Sequence, residues 1–99
     1  MSRTFYTDYV RHALRFYTRN TKQPTFKTEA DKNNWLSCHS VIRKYSIKEM
    51  DILTSIYSGH DTLADEVYNA SKNYKVDQNI IWDMMKSVEK QIAHRRGLI

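Results

Sequence analysis

The strongest local signal in this 99-residue chain is the stretch Tyr45-Ser46-Ile47-Lys48-Glu49-Met50. Ser46 and Glu49 have the spacing of a capping box, in which the side chain of each residue accepts a hydrogen bond from the backbone N–H of the other. Tyr45 and Met50 occupy the two positions of a hydrophobic staple around this box. The stretch therefore predicts the first turn of an α-helix.

Helical spacing of apolar residues continues on both sides of this stretch. The chain has two glycines and one proline, too few for the closely spaced turns of an all-β fold. The five predicted helices run from Thr4 to about Thr18, from Thr28 to Tyr45, from Ser46 to Gly59, from Asp61 or Thr62 to Tyr74, and from Asp77 to Arg96. We expect one small all-α bundle over residues 1–99, in which an N-terminal helical pair at 1–45 packs on a three-helix core at 46–99.

Glycines are placed to end two of these helices. Gly59 follows the third helix and predicts a left-handed residue there. Gly97 and Leu98 follow the fifth helix, where they fit a Schellman motif.

Charge is divided unevenly along the chain, which carries a formal net charge of +5. Residues 1–48 hold ten basic and three acidic residues, a net charge of +7, whereas residues 49–99 hold six and eight, a net charge of −2. The basic balance favours nucleic acid or another acidic surface as a partner. A single cysteine, an N-terminus without a signal-like apolar run and the lack of any apolar stretch of about 20 residues together predict a cytoplasmic protein that does not enter a membrane.

No arrangement typical of catalysis or metal binding is present. The four histidines are scattered through the chain and form no metal-ligand spacing with Cys38. Cys38 and His39 are adjacent, so on a helix their side chains point about 100° apart, which does not suit a nucleophile and its base. Asp61, Asp65 and Glu66 fall at the start of the fourth helix, where the helix dipole favours acids. We therefore expect a protein that is not an enzyme and uses no cofactor or metal.

Residues 70–81 have the spacing of a helix-turn-helix. Ala70 and Ser71 take the apolar and small positions of the first helix, Val76 is the apolar plug of the turn, and Asp77 caps the second helix, which buries Ile81. In such a unit the second helix can enter the major groove of DNA.

Residues 45–57 strengthen this pattern. They resemble the opening helix of the promoter-reading fourth region of bacterial sigma factors, which has a capped Ser or Thr, a Glu three residues later, an Ile-Leu pair and a terminal Tyr. The ending at 93–99 is similar to that of small phage and mobile-element regulators built on this domain. The resemblance covers residues 45–99 and implies a DNA-binding, transcription-associated protein that contacts DNA or RNA polymerase. Three departures are Lys75, where the family usually has glycine, a fourth helix that begins about one turn early, and an acid, Asp83, in the middle of the expected recognition face.

Two sets of residues are candidates for DNA contact. The face of the fifth helix opposite its apolar stripe carries Gln78, Asn79, Asp83, Lys86 and Lys90. Amide side chains suit adenine and lysines suit phosphate, whereas an acid is repelled unless it meets a cytosine amino group. The second set, proposed for phosphate contacts, is Arg11, Arg15 and Arg19. In both cases the alternative is an ordinary solvated helix face.

A protein without DNA binding is the alternative function. Surplus aromatic area at Trp35, Trp82 and Tyr68 would then form the interface of a homodimer or of a protein-interaction module. Burial of Trp82 in the core is the competing interpretation of that residue.

Overall fold

The computed structural model of the protein describes residues 6–22 and 24–99. Within these residues the regular secondary structure is entirely helical, as predicted. The helices are α1 (Thr7–Arg19), α2 (Glu29–Ile42), α3 (Ile47–Tyr57), α4 (Leu63–Tyr74) and α5 (Gln78–Arg95). The first residues of the predicted opening helix, Thr4 and Phe5, lie outside the described part.

Side-chain caps fix where the helices begin. The Ser46 hydroxyl accepts from the Glu49 N–H at 3.2 Å, and the Glu49 carboxylate accepts from the Ser46 N–H at 3.0 Å, which confirms the capping box. Thr28 caps α2 and Asp77 caps α5 in the predicted positions. Each cap satisfies a backbone donor that the first helical turn leaves without a partner.

The end of α5 is the predicted Schellman motif. Gly97 is left-handed at φ 71°, the Leu98 N–H donates to the Ala93 carbonyl at 2.9 Å, and the Gly97 N–H donates to the His94 carbonyl at 3.1 Å.

The prediction that Gly59 ends α3 in a left-handed conformation is wrong. In the described chain the positive φ angles belong to Lys75 and Gly97, and Ser58, which caps the end of α3, has a φ of −81°. Instead, α3 closes in a tight turn in which the Gly59 N–H donates to the Ile56 carbonyl at 3.4 Å and the Ser58 hydroxyl donates to the Thr54 carbonyl at 2.6 Å. These carbonyls of the last turn therefore obtain partners without a left-handed residue. The Arg19 guanidinium donates to the carbonyl oxygens of Ser58 at 3.4 Å and Gly59 at 3.1 Å, which joins α1 to this turn.

All five helices contribute to one buried apolar cluster. α1 packs against α2, α3 and α5; α5 also packs against α2 and α4, and α3 packs against α4. The N-terminal pair thus covers the three-helix unit. The buried apolar residues are Val10, Ala13, Leu14, Tyr17, Cys38, Val41, Ile42, Ile52, Leu53, Ile56, Tyr57, Val67, Ala70, Ile81, Met85, Val88, Ile92 and Ala93.

Candidate functional site

The turn between α4 and α5 is compact and consists of Lys75, Val76 and Asp77. Lys75 is left-handed, with φ 56° and ψ 48°, at the position where the family pattern has glycine. The N–H groups of Lys75 and Val76 both donate to the Ser71 carbonyl, and the Ser71 hydroxyl donates to the Val76 carbonyl at 2.6 Å. Val76 packs partly buried against the core. Ser71 therefore holds the turn between α4 and α5 in a compact shape.

The outer face of α5 presents all five predicted groove residues. Ile81, Met85, Val88 and Ile92 are buried on the inner face, which leaves the opposite face to solvent. The exposed side chains are Gln78, Asn79, Asp83, Lys86 and Lys90. Within residues 6–22 and 24–99, none of these five side chains forms a hydrogen bond or an ion pair with another part of the molecule. The structure thus brings them together and leaves their polar groups available to a ligand.

The three arginines of α1 do not form one solvated row. Arg11 has 24% of its side chain exposed, and its Nε donates to the Glu89 carboxylate at 3.0 Å. Arg19 is exposed but donates to the end of α3, and it lies 3.4 Å from the Nδ1 atom of His60. Arg15 is half-buried and has no partner among the described side chains. Arg11 and Arg19 are therefore used, at least in part, to join helices.

Glu89 is the buried ionisable residue that the sequence interpretation missed. It is only 5% exposed, and its Oε2 accepts from the Tyr57 hydroxyl at 2.6 Å as well as from Arg11. Burial, followed by the negative charge of Glu89 and this hydrogen bond, raises the pKa of Tyr57 well above its usual value. Its position was a usable signal, because Glu89 lies four residues after Met85 and three before Ile92 on the buried stripe.

A second polar contact holds the C-terminal end of α5. The buried Asn34 side chain of α2 accepts from Arg96 Nε at 2.6 Å and from the Tyr9 hydroxyl at 3.2 Å. Arg96 Nη2 also donates to the Tyr9 hydroxyl oxygen at 3.4 Å, so its guanidinium connects α1, α2 and the residue after α5. The pKa of Tyr9 is lowered, chiefly by the hydrogen bond from Arg96.

Exposed cations at the junction of α2 and α3 were not among the predicted site residues. Arg43, Lys44 and Lys48 are all exposed there and have no acidic partner in the described part of the chain. The hydroxyl of Tyr45, next to Lys44, accepts from the side-chain amide of Gln91 at 3.1 Å. This bond places the junction beside the half of α5 that carries Lys90.

The aromatic residues considered for an interface are mostly built into the fold. Trp35 stacks on His39 with ring centroids 4.9 Å apart, and its indole N–H donates to the Asn20 carbonyl at 3.1 Å. Trp82 is partly buried against the core, as its competing interpretation held. Tyr68 is 49% exposed and remains at the surface of α4.

No protein-family model, curated protein or solved structure matches this chain. In the described residues, none of the helices has the length and apolar content needed to cross a membrane. The histidine, cysteine and acidic side chains of these same residues form no group of three that could hold a metal ion.

Proposed function

We propose that this protein binds duplex DNA with its α4–turn–α5 unit, placing the outer face of α5 in the major groove. The observation that supports this proposal most strongly is the row of exposed side chains on α5, directly after a compact turn and a capped helix start. These side chains have no partners among the residues that the structure describes. A helix of this kind fits the major groove, and its first turns meet the base edges.

The residues on this face suit three parts of the duplex: adenine, cytosine and phosphate. Gln78 and Asn79, in the first turn, can each donate to and accept from the exposed edge of adenine. Asp83, one turn later, can accept from the amino group of cytosine. Lys86 and Lys90 can pair with phosphates, which position the protein without reading sequence.

The positive charge that this proposal needs comes mainly from the N-terminal half. Residues 49–99 carry a net charge of −2, so α5 alone does not create a strongly attractive surface for phosphate. The Tyr45–Gln91 hydrogen bond brings Lys44 to the same half of α5 as Lys90, and the Arg15 guanidinium has no partner in the described part of the chain. We assign Arg11 to the fold instead, because its charge is committed to Glu89.

The test is a duplex-binding titration at several salt concentrations. The logarithm of the affinity should fall linearly with the logarithm of the salt concentration, and removing one phosphate contact should reduce the slope by about 0.9. Lys86→Ala and Lys90→Ala are the test variants, and Lys22→Ala is the control because it removes an equal charge from the α1–α2 connector. Undetectable duplex binding at low salt overturns the proposal, and an equal loss of slope in Lys22→Ala overturns the placement on α5.

Protein contact is a second candidate function, supported by the exposed Tyr68. Its ring lies 4.9 Å from the Lys72 ammonium, which forms a cation–π contact on the outside of α4. Exposed tyrosines of this kind are frequent at interfaces. Sedimentation at micromolar concentration tests for a homodimer, and loss of that dimer in Tyr68→Ala would support this candidate over a DNA-only function.

A further inference from the structure

An apolar side chain interrupts the polar outer face of α5. Ile80 is 61% exposed and lies in the first turn of the helix, directly after Asn79 and three residues before Asp83. Singly exposed apolar residues are common and need no explanation by themselves. The position of Ile80 is different, because its helical neighbour Asp83, one turn later, and the adjacent Asn79 are residues proposed to meet the bases.

The major groove offers one apolar group to such a side chain. Of the four bases only thymine carries a methyl group at the groove edge, and aliphatic side chains recognise it by contact. Asn79, next to Ile80, suits adenine, which is the Watson–Crick partner of thymine. An amide and an aliphatic side chain on the same helical turn therefore match the two chemical features that an A·T pair or an adjacent A and T display.

We propose that Ile80 contacts the 5-methyl group of a thymine in the bound duplex, so that the protein selects an A·T pair at that position. This inference rests on the proposed function, since it requires α5 to lie in the groove. It adds a specific base, a specific atom and a residue that was not among the predicted groove residues.

The test replaces thymine by deoxyuridine, which lacks only the methyl group. Duplexes are first selected by the full chain from a random-sequence pool, and each thymine of a selected duplex is then replaced in turn. At one position the wild-type protein should lose roughly four-fold in affinity, the effect of no longer burying about one methyl group. Ile80→Ala should bind the thymine and deoxyuridine duplexes equally.

The control variant is Ile47→Ala. Ile47 is 76% exposed at the start of α3, so the change removes the same apolar surface from outside α5 and should leave the preference for thymine intact. Both substitutions alter exposed helical positions and introduce a residue with higher helix propensity, so both variants should fold.

The possible results separate this inference from the proposed function. If no duplex is bound at low salt, both are wrong. If duplexes are bound but no replacement of thymine lowers the affinity, DNA binding stands and the role of Ile80 is wrong. A preference for thymine that persists in Ile80→Ala, or that Ile47→Ala also abolishes, overturns the role of Ile80 as well.

Discussion

The Tyr57 hydroxyl of α3 donates a 2.6 Å hydrogen bond to the carboxylate of Glu89 on α5, inside the protein. Arg11 of α1 donates to the same oxygen at 3.0 Å. Three helices thus meet at one buried negative charge. A buried carboxylate without such partners would be strongly unfavourable, so each partner is needed by the other two.

Replacing Glu89 with alanine should lower the free energy of unfolding by about 3 kcal/mol, because it leaves the buried Tyr57 hydroxyl without an acceptor and opens a cavity. Glu89→Gln retains an acceptor and should cost less. Urea unfolding followed by circular dichroism measures both changes. Asp83→Asn is the matched control on the exposed side of α5 and should change stability by no more than about 0.5 kcal/mol. A cost for Glu89→Ala as small as that of the control would contradict the importance of this network.

Alanine substitutions should show that Arg11 stabilises the fold and that Arg15 is a surface residue. We expect Arg11→Ala to destabilise the fold by about 2 kcal/mol, because Glu89 loses a charged donor, and Arg15→Ala to cost less than about 0.5 kcal/mol. In a double-mutant cycle, the effect of Arg11→Ala should shrink in the Glu89→Gln background. Equal effects of the two arginine substitutions would rule out this division.

The raised pKa of Tyr57 predicts a loss of stability at alkaline pH. Tyr57 ionises more readily in the unfolded chain, near its ordinary value of 10.0, than in the fold. The stability that un-ionised Tyr57 contributes is therefore complete below about pH 10. It is lost as the pH rises from there towards the raised pKa of Tyr57 in the folded protein. Stability measured against pH should fall more steeply for the wild type than for Tyr57→Phe in this range. Parallel profiles would show that Tyr57 is not the group responsible.

Lys75→Gly should stabilise the protein by roughly 0.5–1 kcal/mol, because glycine adopts the left-handed conformation without the steric cost that lysine bears. Gly97→Ala provides the opposite control at φ 71°, where alanine would be strained although nothing lies within 4 Å of its Cβ. The midpoint temperature of thermal unfolding should therefore rise for Lys75→Gly and fall for Gly97→Ala. A downward shift for Lys75→Gly would contradict the observed backbone conformation.

Cys38 should resist thiol reagents in the folded protein. It is fully buried, and burial raises the pKa of its thiol to about 12, so little thiolate exists at neutral pH. Ellman's reagent at pH 8 should react slowly with the native protein and rapidly in denaturant. Equal rates in the two conditions would show that Cys38 is accessible.

Local features of the fold could be predicted because they depend on residues close together in the chain. The Ser46–Glu49 box spans four residues, and the Schellman motif at Gly97 and Leu98 involves only the last turn of α5. The exposed face of α5 was also predictable, since the buried stripe at Ile81, Met85 and Val88 determines its opposite side.

Features that depend on distant residues could not be predicted in this way. The position of Glu89 on the buried stripe was visible, but its partner Arg11 lies 78 positions earlier in the chain. The contact between Arg19 and the Gly59 carbonyl likewise joins residues 40 positions apart in the chain. The hydropathy pattern shows which side of a helix is apolar, but it does not show which charged residue another helix will pair with.

The Arg11–Glu89 contact also limits how the protein can be divided for experiments. A fragment of residues 46–99 would contain the whole α4–turn–α5 unit, yet it would leave Glu89 without its only charged partner among the described residues. It would also uncover the apolar surfaces of α3 and α5 that α1 shields. Such a fragment should be partly unfolded and prone to aggregate. DNA-binding assays, crystallisation and isotope labelling should therefore use the full 99-residue chain.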